Sequence, residues 1–148
     1  MISTLSAIIR LVLSFVLGGL IGFEREKKGR SAGLRTHILV SLGSTLIMLI
    51  SLYMYYQYRA VTSIDPVRIA AGVVTGIGFL GAGAIIRSAE RNRGLTTAAS
   101  VWVSAAIGLA VGCGYFTVAI VTSLIVFLTL SPLKRLEKKL DSQREKND

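Results

Sequence analysis

The chain has one cysteine, Cys113, and one histidine, His37, in 148 residues. A lone thiol excludes an internal disulfide, and with one imidazole it falls short of the four N and S ligands of a structural zinc site. Prolines number only two, Pro66 and Pro132, so little interrupts long helices. Acids are scarce as well: 8 Asp and Glu stand against 17 Lys and Arg, a net charge of +9. From Gly94 to Leu133 there is no Asp, Glu, Lys, Arg or His. A water-facing surface needs charge interleaved with apolar residues; here the charges are gathered in blocks, which excludes an ordinary soluble bundle. No nucleophile, base and orienting group form a plausible constellation, so no enzyme is expected. Basic blocks beside apolar runs point to membrane lipids as partners and not to nucleic acid.

What remains is 52% apolar residues, arranged in runs near Thr4–Phe23, Leu34–Tyr56, Val67–Ile86, Leu95–Gly112 and Tyr115–Ser131. Each approaches the roughly 20 residues that span a bilayer as a helix. The uncharged stretch from Gly94 to Leu133 would make a helix of about 60 Å, too long for one crossing, and Gly112-Cys113-Gly114 supplies the turn between two. Arg10 interrupts the first run, and no short basic region precedes it; it reads as a retained helix and not as a signal peptide. The expected fold is an all-α membrane protein, a bundle of about five transmembrane helices over residues 1–133. A basic tail, 134–148, follows, where Leu133, Leu136 and Leu140 share a face among Lys134, Arg135, Lys138 and Lys139, as in a short helix lying on an anionic leaflet.

Basic residues collect on the cytoplasmic side of spans. Arg25, Lys27, Lys28, Arg30 and Arg35 occupy one connection, Arg87, Arg91 and Arg93 another, and the tail is basic; the opposite connections hold only Arg59 and Arg68. The expected topology therefore puts the N-terminus outside and the C-terminus inside. "RSAGLRT" from Arg30 also aligns with "RNRGLTT" from Arg91 at a constant offset that sets Gly22 on Gly83, the pattern of parallel two-helix repeats.

The segment "GIGFLGAG" holds a G-x-G-x-x-G at Gly76, Gly78 and Gly81. It lies inside an apolar run with no acid about 20 residues beyond, so it lacks the context of a dinucleotide-binding turn. In lipid, small residues let helix backbones approach closely. Gly18 with Gly22, Gly72 with Gly76, and Gly108 with Gly112 each make G-x-x-x-G, and Gly78, Gly81 and Gly83 extend the third. All nine are expected at helix contacts, with the third helix central in the bundle. Local unwinding to offer carbonyls to a cation is the second reading.

Ionisable groups at the membrane need partners or roles. Asp65, before Pro66 and Arg68, reads as a helix cap with a local partner, or as a weak metal candidate at an external cation mouth. One carboxylate is too few oxygen ligands for Mg²⁺ or Ca²⁺ unless copies assemble. Glu24 and Arg25 end the first helix near Arg35, with Arg93 a candidate neighbour; an ion pair joining loops and a gate or docking site both fit. Thr36, with Thr96 or Thr97, opens helices whose positive ends sit among basic residues, a setting for phosphate or a lipid head group. His37 reads as an interfacial hydrogen bonder and Trp102 as a packing residue.

Three ordered blocks, "GGLIGFEREKKGRSAGLRTHILVSLGS", "DPVRIAAGVVTGIGFLGAGAIIR" and "RGLTTAASVWVSAAIGLAVGCGYF", resemble the membrane domain of the MgtC/SapB family of bacterial proteins. The match runs over roughly Leu11 to Leu128. The resemblance implies a multi-pass protein of the bacterial cytoplasmic membrane, associated with magnesium homeostasis and, in pathogens, with survival inside host cells. It implies no cofactor, with Mg²⁺ the one ion to consider. Family names include magnesium transporter, and some members are held to inhibit the F-type ATP synthase. By position Glu24, Arg25, Gly33, Leu34, Arg35, Thr36, Asp65, Arg68, Arg93, Gly94, Leu95, Thr97 and Trp102 match the family pattern. Many relatives continue into a soluble C-terminal domain, and no activity of that domain is expected of a chain ending at Asp148. A homo-oligomeric regulator acting on another membrane complex is the expected function, ahead of a divalent-cation transporter or channel.

Overall fold

The computed structural model describes residues 2–63, 65–86 and 94–131, without the side chain of Ile86. The described residues are all helix and connection: α1 Thr4–Lys27, α2 Leu34–Tyr58, α3 Pro66–Ile86, α4 Leu95–Cys113 and α5 Phe116–Leu130. Four of them are long and apolar enough to cross a membrane, and the protein is an all-helical membrane protein. Arg93 and the expected tail helix lie outside the described residues.

Local chemistry sets the helix ends. The Ser3 hydroxyl accepts the Ser6 N–H at 3.2 Å and caps α1. Past the other end, Gly29 turns the chain with φ +60, a conformation costly for residues with a Cβ. α1 runs a full turn beyond the apolar run, so Glu24 and Arg25 are helical residues. Gly114, at φ +89, makes the expected turn from α4 to α5.

α5 has only 15 residues, yet its height is fixed against α1. Arg10 Nη1 donates to the Gly112 carbonyl at 2.6 Å where α4 ends, and Lys28 Nζ donates to the Leu130 carbonyl at 2.6 Å where α5 ends. Along α1 those two residues are about 27 Å apart at 1.5 Å per residue, close to the roughly 30 Å of a hydrocarbon core. Both cations meet helix C-termini, the favourable sign for the helix dipole.

The helices alternate in direction, and α4 is the hub: it packs on α1, α2, α3 and α5, while among the described residues α3 touches only α2 and α4. One apolar cluster joins Leu17 and Ile21 of α1 to Ile107 and Val111 of α4 and Ala119 of α5; another joins Val73 and Ile77 of α3 to Val101 and Ala105 of α4. Backbone proximity does the rest. A Cβ on Gly18 would stand 2.8 Å from the His37 carbonyl oxygen, and one on Gly22 would stand 2.7 Å from Leu34 Cα. From the other side, Gly108 abuts the Ser41 carbonyl and Gly112 abuts Met48. α2 is thus clasped between α1 and α4 by four glycines.

This arrangement corrects the expectation of a central third helix. A Cβ on Gly72, Gly76, Gly78 or Gly83 would meet nothing within 4 Å, and one on Gly81 would make only ordinary contact with Ala98 at 3.6 Å. Glycine density records how closely a helix can be approached, not which of its faces is used. The segment "GIGFLGAG" stays helical throughout, so the unwound alternative is not seen either. The two hairpins differ accordingly: Gly22 is a tight contact while Gly83, its counterpart by alignment, is open.

Candidate functional site

The polar residues of the bundle gather where α1, α2 and α4 meet. Arg25, in the last turn of α1, is 3% exposed and donates from Nη2 to Thr97 Oγ1 at 2.7 Å. Thr97 belongs to the first turn of α4 and is 1% exposed. Glu24, 5% exposed, forms an ion pair with Lys28 one turn further on. Lys28 also serves the end of α5, so one ammonium ties α1 to α5. Glu26 turns the other way and accepts the Leu34 N–H through Oε2 at 2.6 Å, capping α2.

Deeper in, His37 is fully buried between α2 and α4. Its Nδ1 lies 2.8 Å from the Gly33 carbonyl and its Nε2 lies 3.0 Å from Ser100 Oγ. A carbonyl only accepts, so Nδ1 carries the proton. In the neutral ring Nε2 then takes the Ser100 proton, in competition with the Thr97 carbonyl 2.8 Å away. Thr45 Oγ1 lies 2.8 Å from both Ser14 Oγ and the Gly108 carbonyl. Its one proton goes to the carbonyl, Ser14 donates to Thr45, and Ser41 donates to Ser14 across 2.8 Å. Three hydroxyls thereby satisfy one another and an α4 carbonyl within the glycine-clasped seam. Ser104 closes on the Ser100 carbonyl at 2.9 Å.

Asp65 and Arg68 are at the opposite end of the bundle. Asp65 Oδ1 accepts the Val67 N–H at 2.8 Å, and the Arg68 N–H donates to the Asp65 carbonyl at 3.2 Å. The contact between them is through backbone, with no ion pair between the two side chains. Near that end α1 and α2 enclose an apolar groove of about 300 Å³. Among the described residues no group of three His, Cys, Asp or Glu could hold a metal ion.

Of the residues singled out from sequence, then, Arg25 and Thr97 meet, Glu24 pairs with Lys28, and Arg35 lies exposed at the start of α2 with Thr36 half-buried beside it. Trp102 is 49% exposed and does not pack inside the bundle. Arg10, Lys28, Glu26 and the seam hydroxyls were not anticipated. A signal for the seam exists: Thr97, Ser100, Ser104 and Gly108 recur at helical spacing on one face of an apolar helix.

A model of the MgtC family matches residues 11–139. The chain belongs to the MgtC family. Among the relatives of this MgtC-family chain, "Putative magnesium transporter YhiD" of Escherichia coli K12 is 44% identical over 139 residues, covering 93% of this chain and 65% of the relative. "Protein MgtC" of Brucella abortus is 42% identical over 132 residues, 88% of this chain and 52% of the relative. "Protein SrpB" of Synechococcus elongatus is 37% identical over 139 residues, 87% of this chain and 75% of the relative. The chain thus spans about two thirds of YhiD and about half of the Brucella protein. No solved structure matches it.

Proposed function

We propose that this MgtC-family chain is a regulator in the bacterial cytoplasmic membrane, acting in magnesium homeostasis by docking on another membrane complex and not by carrying the ion. The observation that supports this reading is the chemistry of the polar seam. The polar seam between α1, α2 and α4 has a guanidinium, Arg25, at one end, and its hydroxyls are spent on one another and on carbonyls. A divalent cation shedding water needs several hard oxygen ligands, and a fixed cation beside the path repels it. The basic end of the bundle, with Lys28, Arg30 and Arg35, is cytoplasmic in this reading and forms the docking face. The F-type ATP synthase is the candidate partner that the family resemblance offers.

The name carried by YhiD favours the second reading, a magnesium transporter, in which copies assemble so that several Asp65 carboxylates share one mouth. Two substitutions separate them in cells limited for magnesium, at matched expression. A regulator loses function on charge reversal at the basic end, by Arg35→Glu or Arg93→Glu, and tolerates Asp65→Asn. A functional loss on Asp65→Asn with the arginine reversals tolerated would replace docking with a cation path.

A further inference from the structure

The apolar groove toward the Asp65 end is shaped by α1 and α2, with Ala7 and Leu11 on one wall and Leu46, Ile50, Tyr53 and Tyr56 on the other. From Leu46 to Tyr56 it follows α2 for about 15 Å at 1.5 Å per residue. Its volume of about 300 Å³ has room for about ten groups of water or methylene size. Over that length the mean cross-section is about 20 Å², too narrow for a helix, which is about 10 Å across with its side chains. One extended hydrocarbon chain fits. Leu46, Ile50 and Tyr53 are exposed, so the groove is reached from the side.

The mouth at the end of α2 is aromatic and basic. Arg59, the exposed residue that ends α2, holds its Cζ 5.6 Å from the ring centroid of Tyr56, a residue of the groove wall. Asp65 is the one acid in the chain between Glu26 and Glu90, and its carboxylate caps Val67. Among the described residues Arg59 makes no ion pair. Inside a bilayer, apolar burial gives little driving force, because lipid tails are as apolar as the groove. Dispersion holds a chain there, and selection between lipids falls to the charge at the mouth. A guanidinium with phenolic donors beside it favours a phosphate that carries no ammonium of its own.

We propose that the groove between α1 and α2 seats one acyl chain of an anionic phospholipid, whose phosphate meets Arg59. The lipid supplies the countercharge that an ionisable group at the membrane edge needs. The site lies at the opposite end of the bundle from Arg35 and does not depend on the regulator reading.

The test gives the purified full chain, in neutral-detergent micelles, phosphatidylglycerol or phosphatidylcholine with the same acyl chains, and reads retained adducts by native mass spectrometry. Phosphatidylglycerol should be retained in preference. Arg59→Gln removes the charge and should cut that preference on the order of fivefold, the equivalent of about 1 kcal/mol for one basic residue near a membrane surface. Arg68→Gln makes the same charge change at the same end but on α3, which does not touch α1 among the described residues, and should move the preference by less than about twofold, as screened distant charge does. Ala7→Phe fills the groove from α1 and should lower retention of both lipids. Leu46→Trp fills it from the exposed wall of α2 and takes its place if Ala7→Phe lowers the thermal unfolding midpoint. Equal retention of the two lipids, or a preference that Arg59→Gln leaves unchanged, overturns the site. So does a species of twice the mass that the filling variants reduce to the single chain, because the groove would then belong to a second copy.

Discussion

Arg25 donates from Nη2 to Thr97 Oγ1 at 2.7 Å, a side-chain bond that joins the last turn of α1 to the first turn of α4. Both residues are buried, so the bond is made where water cannot replace it. Thr97→Val keeps the shape and removes the acceptor, leaving the guanidinium without its partner on α4. The expected loss is about 1.5–3 kcal/mol, the range for hydrogen bonds to charged groups, and Thr97→Ser should recover most of it. Denaturant unfolding of the purified protein in micelles measures both; a silent Thr97→Val would mean that Arg25 is held by other contacts.

The glycines divide into two groups with opposite expected responses. Gly108→Ala drives a methyl into the Ser41 carbonyl and Ser44, and overpacking of this kind costs about 1–3 kcal/mol. Gly76→Ala meets nothing within 4 Å and gains up to about 1 kcal/mol of helix propensity. The same unfolding measurement ranks the two, and equal destabilisation would show that α3 is packed at Gly76 after all.

Asp65 is a cap by geometry, its Oδ1 on the Val67 N–H. Asn caps as well as Asp, so Asp65→Asn should change stability by only a few tenths of a kcal/mol, whereas Asp65→Ala should cost about 1 kcal/mol. Matched costs for the two variants would assign the contribution to charge and not to capping.

Orientation is checked by impermeant thiol labelling in cells after Cys113, which is exposed, is replaced by serine. A cysteine at Lys28 should react only once the cytoplasm is opened, and one at Ser63 from outside. Labelling of Ser63 from the cytoplasm alone would invert the bundle and move the docking face to the exterior.

Much of the fold was legible because its cause is one-dimensional. Apolar runs and charge blocks lie along the chain, and they placed α2, α3 and α4 to within about two residues at each end. α1 escaped by a turn, because Glu24 and Arg25 are charged yet buried, and burial of a charge depends on partners from α4 and on Lys28 that no local pattern displays. The glycine pairs were legible as motifs but not as contacts: Gly18 with Gly22 and Gly108 with Gly112 clasp α2, while Gly72 with Gly76, of identical spacing, faces away. The hydroxyl seam was written in the spacing of Thr97, Ser100 and Ser104, and it was obscured because serine in an apolar helix usually satisfies itself on the preceding turn.

Flux across a sealed bilayer is the most direct measurement of the central claim, that the chain carries no magnesium itself. Purified protein reconstituted into proteoliposomes with a trapped magnesium indicator should admit Mg²⁺ no faster than protein-free vesicles, with an imposed gradient and with either sign of membrane potential. Uptake that scales with protein, saturates with Mg²⁺ and falls on Asp65→Asn would contradict the account and make the chain a transporter.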